Sequence, residues 1–223
     1  MAKYLQQCDL GASNLYEHND MFRFNIEARP IVESLNKQLK RNVLCKFGKL
    51  VIKIVPLSHS TTAYFADDGD VCVKNVPYDI KRYIDATPAK KHEIMFELLK
   101  DLFDNPGPDV ELDSTLLHEF LNDFKAAGYK YMFETKKRVV NSSKTKGARL
   151  LLEYDLTALN VYALISGKKA SPTEKLLMGS YPNTSVDALY VTRHKNVLQF
   201  IDDNTLGFAK NKDCDCVFTL KLN

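Results

Sequence analysis

Residues 88–127 constrain this chain more than any other stretch, because they spell two consecutive amphipathic helices separated by a proline–glycine turn. Thr87 stands where a cap is needed, and Pro88 takes the first helical position, where its missing N–H costs nothing. Ile94, Met95, Leu98, Leu99, Leu102 and Phe103 then recur at three- and four-residue spacing, with Glu93, Glu97, Lys100 and Asp101 on the other side. Asp104-Asn105-Pro106-Gly107-Pro108 ends the first helix. The second starts near Asp113 or Ser114 and carries Leu116, Leu117, Phe120, Leu121, Phe124 and Ala127 on one stripe, with Gly128 at the expected left-handed cap. Burying one Leu or Phe side chain is worth roughly 1.5–3 kcal/mol, so both stripes must find cover. Both helices are expected to lie against a sheet, or against each other and a sheet.

The 223 residues are enough for one domain or two. No apolar run approaches the roughly 20 residues that cross a bilayer, and Met1–Gln7 lacks the apolar core of a secretory signal. Five scattered cysteines, an odd number, read as reduced thiols. These features point to a cytoplasmic protein that does not engage membranes. Charge is uneven. Residues 1–129 hold 16 basic and 19 acidic side chains, a balance of −3, whereas residues 130–223 hold 15 and 9, a balance of +6. Such asymmetry marks either a basic contact surface or a solvated lysine-rich face.

Taken in order, the alternation Phe22, Phe24, Ile26 predicts a half-buried strand, and Pro30 opens a short helix through Leu39. Val43–Val55 reads as one strand or two with a bend at Gly48. Thr62–Ala66 and Val71–Lys74 form a hairpin around Asp67-Asp68-Gly69-Asp70. A short helix or loop spans 78–86. Tyr129–Val140, Leu150–Leu156 and Asn160–Ser166 read as strands. Ser171-Pro172-Thr173-Glu174 has the composition of a helix start. A meander follows, with strands at Leu189–Arg193, Val197–Asp202, Leu206–Lys210 and Cys214–Leu222.

Few motifs carry chemistry. Cys214-Asp215-Cys216 places two thiols on one face of a strand, half of a zinc site without the second pair a closed site needs. Asp109, Glu111 and Asp113 lack the glycine and closing glutamate of a calcium loop and suit the N-terminus of the following helix. Glu134-Thr135-Lys136 on a predicted strand resembles the last part of the PD-(D/E)xK nuclease signature, in which two carboxylates hold Mg²⁺ and a lysine orients water. Here the element upstream is a helix, and the nearest upstream aspartates are Asp113 and Asp123. Lys130, Lys136, Lys137, Arg138, Lys144, Lys146 and Arg149 form a basic stretch interleaved with Tyr129, Tyr131 and Phe133, a pattern that suits phosphates and stacked bases or a solvated strand face.

The fold expected is therefore α+β, with mainly antiparallel sheets packed against a central pair of amphipathic helices. It is one domain over 1–223, with subdomain halves 1–128 and 129–223. Without a recognisable catalytic constellation or cofactor loop, no cofactor is expected. The reading is a non-catalytic module that binds a protein partner, such as a cytosolic inhibitor or immunity-type protein. The alternatives are nucleic-acid binding through the basic 130–149 stretch, or a divergent metal-dependent nuclease using Glu134 and Lys136.

Overall fold

In the computed structural model, which describes residues 3–39, 43–107, 111–167, 174–183, 197–211 and 215–222, the apolar run at Lys49–Val55 is the centre of a four-stranded sheet. The chain divides into two compact units, Met1–Tyr131 and Met132–Asn223.

The first unit runs β1 (Lys3–Tyr4), β2 (Gln7–Ala12), α1 (His18–Glu27), α2 (Arg29–Leu39), β3 (Leu44–Cys45), β4 (Lys49–Val55), β5 (Thr62–Ala66), β6 (Val71–Pro77), α3 (Ile80–Ile84), α4 (Pro88–Asp104) and α5 (Ser114–Ala126). Sheet order is β2-β4-β6-β5. The pairs β2–β4 and β4–β6 are parallel, and β5 pairs antiparallel with β6. Parallel neighbours need a crossover, and α1 and α2 provide it between β2 and β4. One sheet face is buried over its first three strands, at Cys8 and Leu10 on β2, Leu50, Ile52 and Ile54 on β4 and Cys72 on β6, and opens at the edge, where Phe65 of β5 is exposed.

The mid-chain helices begin and end as their caps require. Thr87 Oγ1 accepts from Lys90 N at 3.4 Å, Asp113 Oδ1 accepts from Thr115 N at 3.2 Å, and Gly128 takes φ +70°. Their stripes are buried, with α4 against α5 and α3, and α5 against α2. The helices in most extensive contact with β2 are α1 and α2. The turn at Asp67–Gly69 has positive φ at three successive residues, 49°, 53° and 88°, as the Asp-Gly pair implies.

Two expectations fail in this unit. Phe22–Ile26 is helical, within α1. An alternation over five residues is too short to separate periods, and the partners decide it: Asp20, Phe24 and Glu27, spaced four and three apart, meet Lys81 and Tyr83 of α3 and Lys91 of α4. The sheet centre is parallel where antiparallel pairing was expected. Reading α1 as a strand removes the crossover that parallel pairing needs.

The second unit is β7 (Tyr131–Glu134, shared with the boundary), β8 (Val139–Val140), β9 (Gly147–Tyr154), β10 (Ala158–Ser166), β11 (Glu174–Pro182), β12 (Val197–Asp202), β13 (Thr205–Ala209) and β14 (Phe218–Lys221). One sheet has the order β11-β10-β9-β7, with β8 also on β9, and the other is β12-β13-β14. The pairs β10–β11, β9–β10, β8–β9, β12–β13 and β13–β14 are antiparallel. The sheets meet at both ends, β11 against β14 and β12 against β8 and β9. Leu150, Leu152, Val161, Leu206 and Phe208 fill the core, and Phe218 stacks on Phe208 at 6.0 Å.

The helix expected after Ser171 is contradicted. Ser171–Thr173 lie outside the described residues, and Glu174–Pro182 is strand β11. Met178 and Tyr181 are buried there, and β10 offers a full antiparallel ladder that outweighs a local capping pattern. The predicted strand Tyr129–Val140 is broken into β7 and β8: Thr135 N–H still donates to the Leu150 carbonyl, and the Thr135 hydroxyl accepts from Leu150 N at 3.2 Å. The predicted strand Leu189–Arg193 lies outside the described residues, and the last strand begins only at Phe218. Taken whole, the chain is mixed α and β with mostly antiparallel strand pairs.

Candidate interaction surface

The nuclease-like pair is dispersed by a local ion pair. Glu134 on β7 has its Oε1 2.8 Å from Nη1 of Arg149 on β9. Lys136 stands exposed in the break between β7 and β8. Asp113 caps α5 and Asp123 lies within α5, both in the first unit. Among the described residues, no group of three or more His, Cys, Asp or Glu is arranged to hold a metal ion. Cys214 lies outside the described residues. Cys216 is a half-buried free thiol 3.5 Å from Gln199 Nε2.

The basic stretch separates into two kinds of side chain. Arg138 donates to Ser166 Oγ at 3.0 Å and to the Gly167 carbonyl at 2.7 Å, with its guanidinium laid over Gly147. Lys146 donates to Asn204 Oδ1 at 3.0 Å, and Arg149 holds Glu134. Lys130 belongs to the first unit and is half-buried. Lys136, Lys137 and Lys144 are exposed, and none makes an ion pair among the described residues. Lys144 sits on a loop organised by the buried amide of Asn141, which donates to Ser143, Thr145 and the Asp203 carbonyl.

A half-buried charge cluster around Glu27 is closed. Glu27 Oε2 accepts from Lys91 Nζ at 2.8 Å and Tyr83 Oη at 2.7 Å, and its Oε1 accepts from Arg23 at 2.9 Å. Burial raises the Glu27 pKa, but the hydrogen bonds from Lys91, Tyr83 and Arg23 outweigh it and hold the carboxyl below its ordinary value. Lys91 also lies 5.0 Å from the Tyr83 ring centroid. With its partners supplied from within, the cluster joins α1, α3 and α4 and leaves no group for a substrate.

The open side of the first sheet is different. Opposite the buried face, side chains fall into three rows set by the register: Gln7, Lys49, Val71, Ala66; then Asp9, Val51, Val73, Tyr64; then Gly11, Lys53, Asn75, Thr62. Val51, Val71, Val73 and Tyr64 make an apolar strip in which Val73 is buried, and the polar side chains lie at Gln7, Asp9, Lys49, Lys53, Asn75 and Thr62, with Lys49 paired with Asp9 at 2.5 Å.

The two edges of this sheet are treated unequally. On β2 the backbone is sealed by side chains: Cys8 N donates to Asn36 Oδ1 at 2.7 Å, Asn36 Nδ2 donates to the Cys8 carbonyl at 3.0 Å, and Ala12 N donates to Asn25 Oδ1 at 2.6 Å. On β5 no side chain bonds the backbone of Thr62–Ala66 among the described residues. This strand has no charge and no proline, the usual protections of an edge. Tyr64 is 47 % exposed on the open face and Phe65 45 % on the other, where it touches Phe47. Leu57, just before the strand, is 68 % exposed. The sequence places Tyr64 and Phe65 on a hairpin strand but does not mark them as exposed. The available signal was two adjacent aromatics on a strand, which must point to opposite faces.

Comparison with protein-family models, with curated proteins and with solved structures gives no match to this chain. Among the described residues, no helix is long and apolar enough to cross a membrane.

Proposed function

We propose that the chain is a non-catalytic protein–protein interaction module, of the cytosolic inhibitor or immunity type, and that β5 is its docking edge. One observation carries the reading: β5 is an uncharged edge strand with Tyr64 and Phe65 exposed, while the opposite edge is closed by Asn25 and Asn36. A partner strand added to β5 completes its backbone hydrogen bonds and sets alternate side chains beside Tyr64 and Phe65. The free thiols of Cys8, Cys45 and Cys72, all buried, suit a reducing compartment.

The test is recovery of a stoichiometric complex by the tagged chain from native lysate, beside the variant Tyr64→Ser/Phe65→Ser. A partner retained by the parent and lost by the folded variant supports the reading. Metal-dependent hydrolysis of nucleic acid, abolished by Glu134→Ala in a folded protein, overturns it.

A second reading is favoured by Lys136, Lys137 and Lys144, exposed and without ion pairs among the described residues, near an exposed Phe133 in the sequence. It takes the second unit as a nucleic-acid binder. It requires affinity that falls steeply with salt and that drops when these three lysines become glutamine.

A further inference from the structure

The charges around β5 specify what kind of segment fits it. Leu57–Thr61, at its start, contains no Asp, Glu, Lys or Arg. Its end runs into Asp67-Asp68, both exposed and both without an ion pair among the described residues. The left-handed backbone at Asp67 and Asp68 fixes where the chain reverses, so two carboxylates stand at one end of the open edge. An uncharged strand specifies register weakly, and a charge pair at one end specifies it well.

We infer that the partner of this chain presents an extended segment with apolar side chains at alternate positions and lysines or arginines at the end that lies beside Asp67 and Asp68. The inference rests on the docking role given to β5. A second copy of this chain is the poorer occupant. In an antiparallel two-fold pairing centred on Tyr64, Thr62 faces Ala66, Thr61 faces Asp67 and Ser60 faces Asp68. Each copy then leaves both carboxylates facing neutral side chains. A basic partner segment matches them.

The probes are synthetic nine-residue peptides of alternating valine and threonine, carrying two lysines at the N-terminus, two lysines at the C-terminus, two glutamates at either place, or no charge. Each is titrated against the full chain by fluorescence anisotropy at low salt. One lysine peptide is expected to bind about fivefold more tightly than the neutral one, with the glutamate peptides weaker still and the difference shrinking at high salt. In Asp67→Asn/Asp68→Asn, which keeps residues that tolerate positive φ, the lysine and neutral peptides are expected to bind alike.

Equal binding of all peptides, weakened by Tyr64→Ser/Phe65→Ser, overturns the basic-segment inference and leaves the β5 docking role standing. Lysine-peptide binding that ignores the β5 substitutions overturns both. Absence of any peptide binding overturns the inference. Concentration-dependent dimerisation that Tyr64→Ser/Phe65→Ser abolishes names a second copy as the occupant and overturns it too.

Discussion

Lys91 Nζ lies 2.8 Å from Glu27 Oε2 with only 4 % of the lysine side chain and 12 % of the glutamate side chain exposed. This pair ties the first turn of α4 to the end of α1. A buried pair of this kind adds little over a well-packed apolar pair, but removing one member strands the other charge.

Glu27→Gln is therefore expected to lower unfolding free energy at pH 7 by about 3 kcal/mol, and Glu27→Gln/Lys91→Met to recover part of it. The sign with pH follows from the lowered carboxyl pKa. Stability from Glu27 is full above the unfolded carboxyl pKa and is lost as pH falls through the folded one. Urea unfolding should show a large gap between parent and Glu27→Gln at pH 7 that narrows as the pH is lowered through the carboxylate range to pH 3. An equal gap at both would contradict the linkage.

Lys74 anchors the other end of α4. Only 6 % of its side chain is exposed on β6; its ammonium donates to the Asn105 carbonyl and lies 3.9 Å from Asp101. A cation at a helix C-terminus offsets the dipole and satisfies an orphan carbonyl. Lys74→Met should cost about 1–2 kcal/mol. Hydrogen exchange should quicken at residues 100–105 and stay unchanged at the start of α4.

Two glycines in the second unit should respond differently to alanine. A Cβ on Gly179 would fall 2.4 Å from the Phe218 ring, which is locked between Phe208 and Tyr181. A Cβ on Gly147 would fall 2.2 Å from the Arg138 guanidinium, the far end of a flexible side chain. Gly179→Ala should cost about 2–3 kcal/mol through overpacking. Gly147→Ala should cost less and should not add to Arg138→Ala, because both lose the same bonds to Ser166 and Gly167. Thermal unfolding of the three single variants and the Gly147→Ala/Arg138→Ala double variant measures this.

Thiol reactivity should follow burial. Burial, with the neighbouring Asp9 carboxylate adding, pushes the Cys8 thiol up to about 12, while Lys49 pulls the other way. Burial raises Cys72 as well. A thiolate-selective reagent on the native chain should label Cys216 and leave Cys8, Cys45 and Cys72 unlabelled until denaturant is added. Fast native labelling at Cys8 would show that β2 opens readily. Mass spectrometry of peptides gives the order.

What could be read from the residues alone was whatever a few neighbours decide. Thr87, Pro88, Asp113 and Gly128 bound the two mid-chain helices, and Asp67-Asp68-Gly69 reverses the chain between β5 and β6, because caps and positive-φ turns are contacts within four residues. The tertiary structure decided everything that needs a distant partner. Phe22–Ile26 became helix because Lys81, Tyr83 and Lys91 meet every third or fourth residue of α1, and Glu174–Pro182 became strand because β10 lay beside it. Of the basic stretch, Arg138, Lys146 and Arg149 are engaged by Ser166, Asn204 and Glu134, and no count of charges along a chain identifies such acceptors. The open edge at β5 is of the same kind, since a strand is an edge only by virtue of what the rest of the fold leaves beside it.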